Sequence, residues 1–188
     1  MWGIPALTNL LVIRRLDASD FDQLHELDLS EHITLIYRWV NGQLQSEPHD
    51  GHRPHWDQEQ WQARLTEWRT NLQPDVWLGA FVGGQMAGLA SLRYRLAPQM
   101  AQLTTLHVDQ TRRRQGLAHQ LLETVVAMAE DSSAAELYVS STESESAVGF
   151  YLSQGFRPTN TPNPQMFELE PKDIHMVRPL IPVRPSLV

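Results

Sequence analysis

The residues Arg112-Arg113-Arg114-Gln115-Gly116-Leu117-Ala118 combine basic side chains with a glycine in an order suited to binding phosphate. They follow the apolar run 103–109 and precede a long segment with apolar residues at helical spacing, which predicts a strand, a short basic loop and a helix. The first turn of a helix carries unpartnered backbone N–H groups and partial positive charge, and both favour a bound anion. Gly116 lets the backbone approach a ligand closely, and arginine offers donors that suit phosphate. The sequence therefore predicts a site for a phosphorylated ligand.

The spacing within this loop separates it from two common phosphate sites. A P-loop needs Gly-x-x-x-x-Gly-Lys-Ser/Thr, and a dinucleotide fold needs Gly-x-Gly-x-x-Gly near a first strand; the sequence has neither. Arg113-x-x-Gly116-x-Ala118 instead resembles the Arg/Gln-x-x-Gly-x-Gly/Ala signature of the GCN5-related N-acetyltransferase (GNAT) superfamily, which holds the pyrophosphate of acetyl-coenzyme A. Upstream, Leu106-His107-Val108-Asp109 resembles the end of that family's fourth strand.

A second block strengthens the resemblance. Ser144-x-x-Ala147-x-x-x-Tyr151-x-x-x-Gly155-Phe156 is similar to the family's later helix, ordinarily Asn-x-x-Ala-x-x-x-Tyr-x-x-x-Gly-Phe. The resemblance covers roughly residues 9–180, of which about 102–157 is specific. It implies a single acetyltransferase domain over residues 1–188, an α+β fold with a mixed, mostly antiparallel central sheet flanked by helices. That sheet is expected to split near its fourth and fifth strands.

The resemblance also implies an activity, transfer of an acetyl group from acetyl-CoA to an amine by direct attack in a ternary complex. The implied cofactor-binding residues are Leu106, His107, Val108, Arg113, Arg114, Gln115, Gly116, Leu117, Ala118, His119 and Ser144. The implied catalytic residues are Tyr151, which would meet the departing thiolate, and His107. A different class of protein, a non-catalytic acyl-CoA-binding or regulatory module, would keep the phosphate loop without needing Tyr151.

Tyr151 has a structural interpretation beside the catalytic one. If Gly155 is the left-handed residue that ends the helix, Tyr151 and Phe156 form the apolar contact of a Schellman cap. Full proton transfer from a tyrosine of pKa near 10 to a thiolate whose thiol has pKa near 8.5 is uphill by about 2 kcal/mol. A hydrogen bond to the developing charge is therefore favoured over full transfer.

Ser144 and His107 also carry two interpretations each. Ser144 replaces the family's asparagine and can either contact the ligand or cap the helix, while Thr142-x-x-Glu145 offers a rival capping box. His107 alternates with Leu106 and Val108, so its side chain points to the opposite face of the strand. It can act as a base towards an amine or simply pack against the first helices, and packing is favoured.

Composition limits the classes of function. The chain has 188 residues, 41% of them hydrophobic, and no cysteine, which predicts one core without disulfides, cysteine-bound zinc or a cysteine nucleophile. A net charge of −7 argues against nucleic-acid binding and mildly favours a cationic small-molecule or peptide amine as acceptor. We expect no membrane span, no secretory signal, a cytoplasmic location and no metal; a homodimer is left open.

The predicted elements follow the order β-α-α-β-β-β-α-β-α-β-β. Strands are expected at 10–16, 76–82, 86–96, 102–108, 136–140, 167–170 and 174–179, and helices at 20–29, 55–72, 117–130 and up to Gly155. Gly83-Gly84 predicts a hairpin.

Two segments lie outside a minimal version of this pattern. Residues 31–54 are expected to form a polar loop with a short hairpin at Asn41-Gly42, bordering the acceptor groove. Within it, His49-x-x-His52-x-x-His55 has histidines, but interleaved prolines and a glycine favour a mobile loop over a metal site. Glu47, Asp50, Glu143 and Glu145 are unassigned candidates for contacting a cationic acceptor. The tail 181–188 is expected to run extended over the surface.

Overall fold

The structure, a computed structural model, describes residues 10–181. The strands are β1 (Leu11–Arg15), β2 (Glu31–Val40), β3 (Gln43–Arg53), β4 (Val76–Val82), β5 (Gln85–Ala97), β6 (Met100–Val108), β7 (Glu136–Ser141), β8 (Arg157–Pro158) and β9 (Ile174–Pro179). The helices are α1 (Gln58–Asn71), α2 (Leu117–Asp131), α3 (Glu145–Ser153) and α4 (Pro164–Leu169), with 3-10 helices at Asp20–Glu26 and Gln110–Arg112. Of the tail 181–188, only Ile181 falls within the described residues.

Seven of the strands form one sheet in the order β1-β4-β5-β6-β7-β9-β8. All neighbours are antiparallel except β6 and β7, which are parallel over three residue pairs, from Met100 opposite Glu136 to Gln102 opposite Tyr138. Beyond Gln102 the two strands diverge. The predicted α+β fold, with a mostly antiparallel sheet that splits between these strands, is confirmed.

Each face of the sheet has its own core. Helices α2 and α3 cover one face, where Leu121, Val125 and Tyr151 lie in a single buried cluster. Helix α1, the first 3-10 helix and α4 cover the opposite face, which buries a second cluster that includes Trp61, Trp68, Leu24 and Met166. Within residues 10–181, no helix is long and apolar enough to cross a membrane.

Helix α1 starts where sequence chemistry dictates. The Asp57 side chain accepts a hydrogen bond from Gln60 N at 2.9 Å, and Gln60 Oε1 accepts from Asp57 N at 3.0 Å, which makes a reciprocal capping box. Trp61, Leu65 and Trp68 then follow at helical spacing and are all buried. The predicted helix over 55–72 is confirmed with a slightly later start.

The N-terminal region differs from the prediction in two places. The expected helix over 20–29 is a 3-10 helix that ends at Glu26. The hairpin expected at Asn41-Gly42 is confirmed, but the polar loop expected around it is wrong, because nearly all of 31–54 forms the long β2–β3 ribbon. At its tip, Asn41 and Gly42 have φ of 51° and 78°, as a type I′ hairpin turn requires. The sequence of this ribbon resembles a loop because most of its side chains face solvent. Only a few apolar side chains pack inward.

The stretch predicted as a strand over 167–170 is also wrong, since it belongs to helix α4. The Asn163 side chain accepts a hydrogen bond from Met166 N at 3.2 Å, and Pro164 occupies the first helical position. Both are helix-start signals that outweigh the apolar alternation of so short a run.

Helix α3 ends in the predicted Schellman motif. Gly155 has φ of 85°, Phe156 N donates to Tyr151 O at 3.1 Å, and Gly155 N donates to Leu152 O at 3.2 Å. The rings of Tyr151 and Phe156 meet edge to face, with centroids 5.4 Å apart. The helix-capping role of Tyr151 is therefore confirmed. It involves the ring and the backbone and does not depend on the hydroxyl.

Two glycines of this region make a matched pair for measuring the cap. Gly155→Ala is expected to lower the free energy of unfolding by about 1 kcal/mol, because a Cβ there meets open space but the left-handed backbone penalises it. Gly149→Ala, in the helix interior and equally open, is expected to raise it by roughly 0.5–1 kcal/mol. Urea unfolding measures both. Equal effects of the two substitutions would contradict the left-handed cap.

Candidate active site

The site is built around the opening between β6 and β7. Opposite β5, strand β6 contains a bulge: Ser91 pairs with Thr105 and Leu92 with Leu103, which leaves Thr104 as the extra residue. Ser91 Oγ lies 2.6 Å from Thr104 Oγ1 and 2.7 Å from Thr105 Oγ1, so hydroxyl groups hold the bulge. A bulge bends its strand and increases the local twist. It lies just beyond the last β6–β7 pair, so the end of β6 turns away from β7 and its β7-facing edge opens.

The loop between β6 and α2, where the sequence predicts a bound phosphate, follows the open part of β6. Gly116 is the N-cap of α2 with φ of 82°, and no side chain caps the helix. The N–H groups of its first turn, from Leu117 to His119, are donors of the kind that bind an anion at a helix start. Leu117 is buried, Ala118 is half-buried, and Gly116 is exposed at the surface of the loop.

The arginines of the loop have different surroundings. Arg113 Nη2 donates to Leu29 O at 3.2 Å and Arg113 Nε to Val108 O at 3.4 Å, so this guanidinium is directed at backbone carbonyls. Arg114 is exposed and has φ of 64°. The geometry makes Arg113 a positioning residue for the loop and leaves Arg114 better placed for a phosphate. Phosphate binding by either remains a prediction.

Further hydrogen bonds join the same loop to the segment that leads into β2. Gln110 N donates to Asp28 O at 2.7 Å, and Asp28 N donates to Asp109 Oδ2 at 2.9 Å. The other Asp109 oxygen accepts from Thr111 N at 2.9 Å. The Asp28 carboxylate accepts from Ser30, which lowers its pKa. Together with Arg113, these bonds make the β6–α2 loop and residues 28–30 one connected unit.

The side chains of most other predicted cofactor-binding residues are already engaged within the protein. Gln115 Nε2 donates to Thr111 O at 3.2 Å, and His119 Nδ1 donates to Gln154 Oε1 at 2.7 Å. Leu106 and Val108 pack against the α2–α3 core. Their contribution to ligand binding would therefore come through main-chain groups along the open edge of β6.

Ser144 is the N-cap of α3. It is 3% exposed, and its Oγ accepts from Ala147 N at 3.4 Å and lies 3.2 Å from Ser146 Oγ. This decides against the rival capping box at Thr142. Ligand contact by Ser144 stays a prediction. Its hydroxyl already accepts the hydrogen bond that caps α3.

Tyr151 lies on α3, in the buried cluster that α2 and α3 cover. The residue is 7% exposed, and burial, followed by the nearby Asp173 charge, raises the pKa of its hydroxyl. A raised pKa keeps the hydroxyl protonated, and therefore a donor, at neutral pH.

His107 projects to the other face of β6, against α1. Its ring stacks on Trp68, with centroids 5.3 Å apart, and meets Trp56 edge to face at 6.2 Å. Burial, followed by the charges of Arg53 and Arg113, lowers the pKa of His107 to about 3. Moving a proton to it from an alkylammonium of pKa about 10.4 would be uphill by roughly 10 kcal/mol. The placement favours the packing interpretation over the role of base.

Sequence reasoning missed Glu170 and Asp173. They lie between α4 and β9, and Asp173 N donates to Glu170 O at 3.1 Å. Burial, and then the negative charges of Glu170 and Glu143, raise the pKa of Asp173 to about 7. Burial also raises the pKa of Glu170, although the Ser140 hydroxyl opposes the shift. Asn163-Pro164 marks the start of the preceding helix, and no local pattern in the sequence marks the two carboxylates.

His175 holds this acidic segment in place. Its Nε2 donates to Glu170 O at 3.1 Å, and its Nδ1 accepts from the Tyr138 hydroxyl at 2.7 Å. Burial lowers the pKa of His175 and raises that of Tyr138 to about 12, so both stay neutral in this pair.

Two buried polar atoms on the α1 side of the sheet, Trp61 Nε1 and Gln102 Oε1, have no hydrogen-bond partner within residues 10–181. Gln102 belongs to the last β6–β7 pair, and its amide nitrogen lies 2.9 Å from Met166 Sδ. An unused acceptor therefore lies at the point where the strands separate.

The acidic residues proposed from sequence have other partners. Arg38 donates to Glu47 at 3.1 Å and to Glu143, while Asp50 pairs with His32 at 2.9 Å. Glu145 is exposed in the first turn of α3.

The histidine-rich run lies mostly in a strand. His49 and His52 belong to β3, so the mobile loop expected there is wrong, because cross-strand pairing orders the segment. His55 follows β3, with Nδ1 3.6 Å from Asp28 Oδ1. The described residues contain no group of three or more metal-ligating side chains.

Comparison with known proteins places this geometry in a family. The model of the acetyltransferase (GNAT) domain matches residues 46–168. The chain belongs to the GNAT acetyltransferase family. No curated protein has a significantly similar sequence.

Several GNAT structures share the fold. Nourseothricin acetyltransferase superposes with a TM-score of 0.70 at 17% identity, over 91% of this chain and 99% of that one. A putative streptothricin acetyltransferase from Bacillus anthracis str. Ames, in complex with acetyl coenzyme A, gives 0.71 at 16% identity over 92% and 99%. The ribosomal-protein-S18-alanine N-acetyltransferase from Escherichia coli gives 0.59 at 18% identity over 95% and 99%.

Truncation of the two arginines of this loop is expected to affect different properties, stability in one case and coenzyme A affinity in the other. Arg113→Ala removes the donor to two carbonyls and should lower the free energy of unfolding by about 1–3 kcal/mol. Arg114→Ala should leave stability unchanged and weaken coenzyme A binding. Urea unfolding and calorimetric titration with coenzyme A and dephospho-coenzyme A measure both effects. The reverse result, a stable Arg113→Ala with selective loss of coenzyme A over its dephospho form, would make Arg113 the phosphate ligand.

Proposed function

We propose that this GNAT protein transfers an acetyl group from acetyl-CoA to an amine, by direct attack within a ternary complex. The observation that carries the proposal is the left-handed Gly116 at the uncapped start of α2, placed beside the opening between β6 and β7. This arrangement supplies converging N–H donors for a pyrophosphate next to an edge of unpaired backbone.

Main-chain groups of Leu106, His107 and Val108 would hold the pantetheine arm along the open edge of β6. One N–H of this edge would polarise the thioester carbonyl, whose oxygen gains negative charge as the amine attacks. The bulge at Thr104 supports this role because it fixes the direction of the strand by side-chain hydrogen bonds rather than by pairing with β7.

Tyr151 would serve the leaving group. Its ring is fixed by the Schellman contact with Phe156, so its hydroxyl is held without needing a hydrogen bond of its own. A protonated hydroxyl at this point stabilises the thiolate as the carbon–sulfur bond breaks. The sequence has no cysteine for an acyl-enzyme, which agrees with direct attack.

Related structures widen the class of acceptor rather than narrow it. They include acetyltransferases for nourseothricin and streptothricin and one for the alanine of ribosomal protein S18. We take a small-molecule or peptide amine as the acceptor. A turnover assay that detects thiol release over a panel of amines tests this, and thiol release with none of them would favour a non-catalytic acyl-CoA-binding module.

Acetyl-CoA binding is expected to depend on Gly116. Gly116→Glu places bulk and negative charge where the pyrophosphate would lie and should abolish binding. Gly116→Ala is the matched control, because it carries the same left-handed strain and its Cβ meets only Gln120 at 4.0 Å. Calorimetric titration of both folded variants measures the effect. Unchanged acetyl-CoA affinity in Gly116→Glu would contradict pyrophosphate binding at the start of α2.

Tyr151→Phe is expected to lower kcat about 100-fold, since one donor to the transition state is lost. The ring and its contact with Phe156 remain, so Tm and acetyl-CoA affinity should barely change. Steady-state kinetics and thermal unfolding on one preparation check this. Full activity would assign Tyr151 to helix termination alone.

A further inference from the structure

A cavity of about 710 Å³ lies beside the last residues of β5, outside the candidate active site. The pairing of β4 with β5 begins at Val76, opposite Leu92, so β5 continues to Ala97 with no β4 residue beside it. The cavity occupies this place, and we call it the β5-edge cavity. Its lining includes Gln73, Asp75, Arg93, Tyr94, Arg95 and Asp131. Cavities that bind small molecules measure roughly 300–1,000 Å³, so its size suits such a ligand.

The β5-edge cavity is far from the β6–α2 loop. It touches the last turn of α2, at Met128, Asp131 and Ser132, whereas the predicted phosphate site lies at the first turn of the same helix. Helix α2 has 15 residues, so its two ends are about 20 Å apart. A ligand in this cavity therefore occupies a second, separate site.

Hydrogen bonds fix the backbone that surrounds the cavity. Asp75 N donates to Leu92 O at 2.8 Å, and Asp75 Oδ2 accepts from Tyr94 N at 2.8 Å, which holds the edge of β5. Gln73 N donates to Trp68 O at 3.1 Å, and the φ of 49° at Gln73 turns the chain away from α1. The walls are thus built from ordered elements, namely two helix ends and one strand edge.

Charged residues of both signs line the cavity without pairing. Asp75, Asp131, Arg93 and Arg95 all contribute to its lining, yet none of the four forms an ion pair within residues 10–181. Arg93 Nη1 donates to Gln165 Oε1 of α4 at 3.5 Å, which places this guanidinium on the α1 side of the sheet. Asp131 ends α2 on the opposite side. Opposite charges therefore lie on separate walls, farther apart than a direct ion pair allows.

This distribution of charge selects the ligand chemistry. The C-terminal end of α2 carries partial negative charge, which adds to the Asp131 carboxylate and favours an ammonium group. A guanidinium is a good partner for a carboxylate. A ligand with one charge would leave one wall without a partner, and a ligand with both charges on adjacent atoms could not reach both walls.

We propose that the β5-edge cavity binds a small zwitterion whose ammonium and carboxylate groups are several bonds apart, such as an ω-amino acid or a dipeptide. The ammonium lies at Asp131 and Asp75, and the carboxylate at Arg93 and Arg95. This site goes beyond acetyl transfer, because it uses no residue assigned to acetyl-CoA or to catalysis. It therefore stands or falls separately from the proposed function.

The test is a titration of isotope-labelled full-length protein with 6-aminohexanoate, followed through backbone amide resonances by NMR. The amides of Gln73, Tyr94 and Ser132 should shift and saturate with a Kd of about 1 mM, because exposed charge pairs are individually weak. The amides of Leu117 and His119, at the start of α2, should not shift. No saturable shift, or shifts at the start of α2 and none at the cavity, would overturn the proposal.

Three further probes isolate the contribution of each charge. Hexylamine and hexanoate keep the carbon chain with one charge each, and 2-aminohexanoate carries both charges close together. Each is expected to bind at least about threefold more weakly than 6-aminohexanoate, since each loses one exposed charge contact. If any of the three binds as tightly as 6-aminohexanoate, the requirement for two separated charges is wrong.

Two substitutions at exposed positions assign the two ends of the ligand. Arg95→Gln should abolish the preference for 6-aminohexanoate over hexylamine and keep its preference over hexanoate, whereas Asp131→Asn should do the reverse. Arg15→Gln and Asp22→Asn, at exposed positions that do not line the cavity, are the matched controls and should bind as wild type. Wild-type preferences in both cavity variants, or equal losses in the controls, would overturn the assignment.

Discussion

Parallel pairing holds β6 and β7 together over only three residue pairs, and each part of the site depends on the strands separating after Gln102. A continuous ladder would satisfy the backbone of β6 and leave no main-chain donors for a ligand. Strand β9 in turn pairs along the whole of β7, so β7 keeps a complete partner on one edge while it loses the other.

The elements that hold this opening apart are the ones that sequence patterns predict well. Strong apolar periodicity locates α2 and the buried strands, and Gly116 and Gly155 mark one helix start and one helix end through their left-handed backbone. The segments beside these two glycines meet, since His119 Nδ1 donates to Gln154 Oε1. The Schellman geometry of α3 could be predicted to the individual hydrogen bond, because it depends only on residues within one helix turn.

The surroundings of the site follow less directly from sequence. Residues 31–53 form a ribbon whose order comes from cross-strand pairing and from contacts with the start of α3, such as the hydrogen bond from Tyr37 N to Glu143 O at 2.8 Å. Such contacts join residues far apart in the chain and leave no local pattern. The same holds for Asp173, whose environment depends on α4 turning back and on His175 pairing with Tyr138. The direction of the Arg113 side chain likewise depends on a carbonyl more than eighty residues away, at Leu29.

That last contact connects the β6–α2 loop to the start of β2. The two share hydrogen bonds through Asp28, Asp109 and Arg113, and residues 28–30 lead directly into the β2–β3 ribbon. A ligand that orders the loop is therefore expected to order the start of β2 as well. By linkage, a second ligand that orders β2 would tighten binding of the first by the same factor. Such cooperativity would act through the backbone connection and would require no contact between the two ligands.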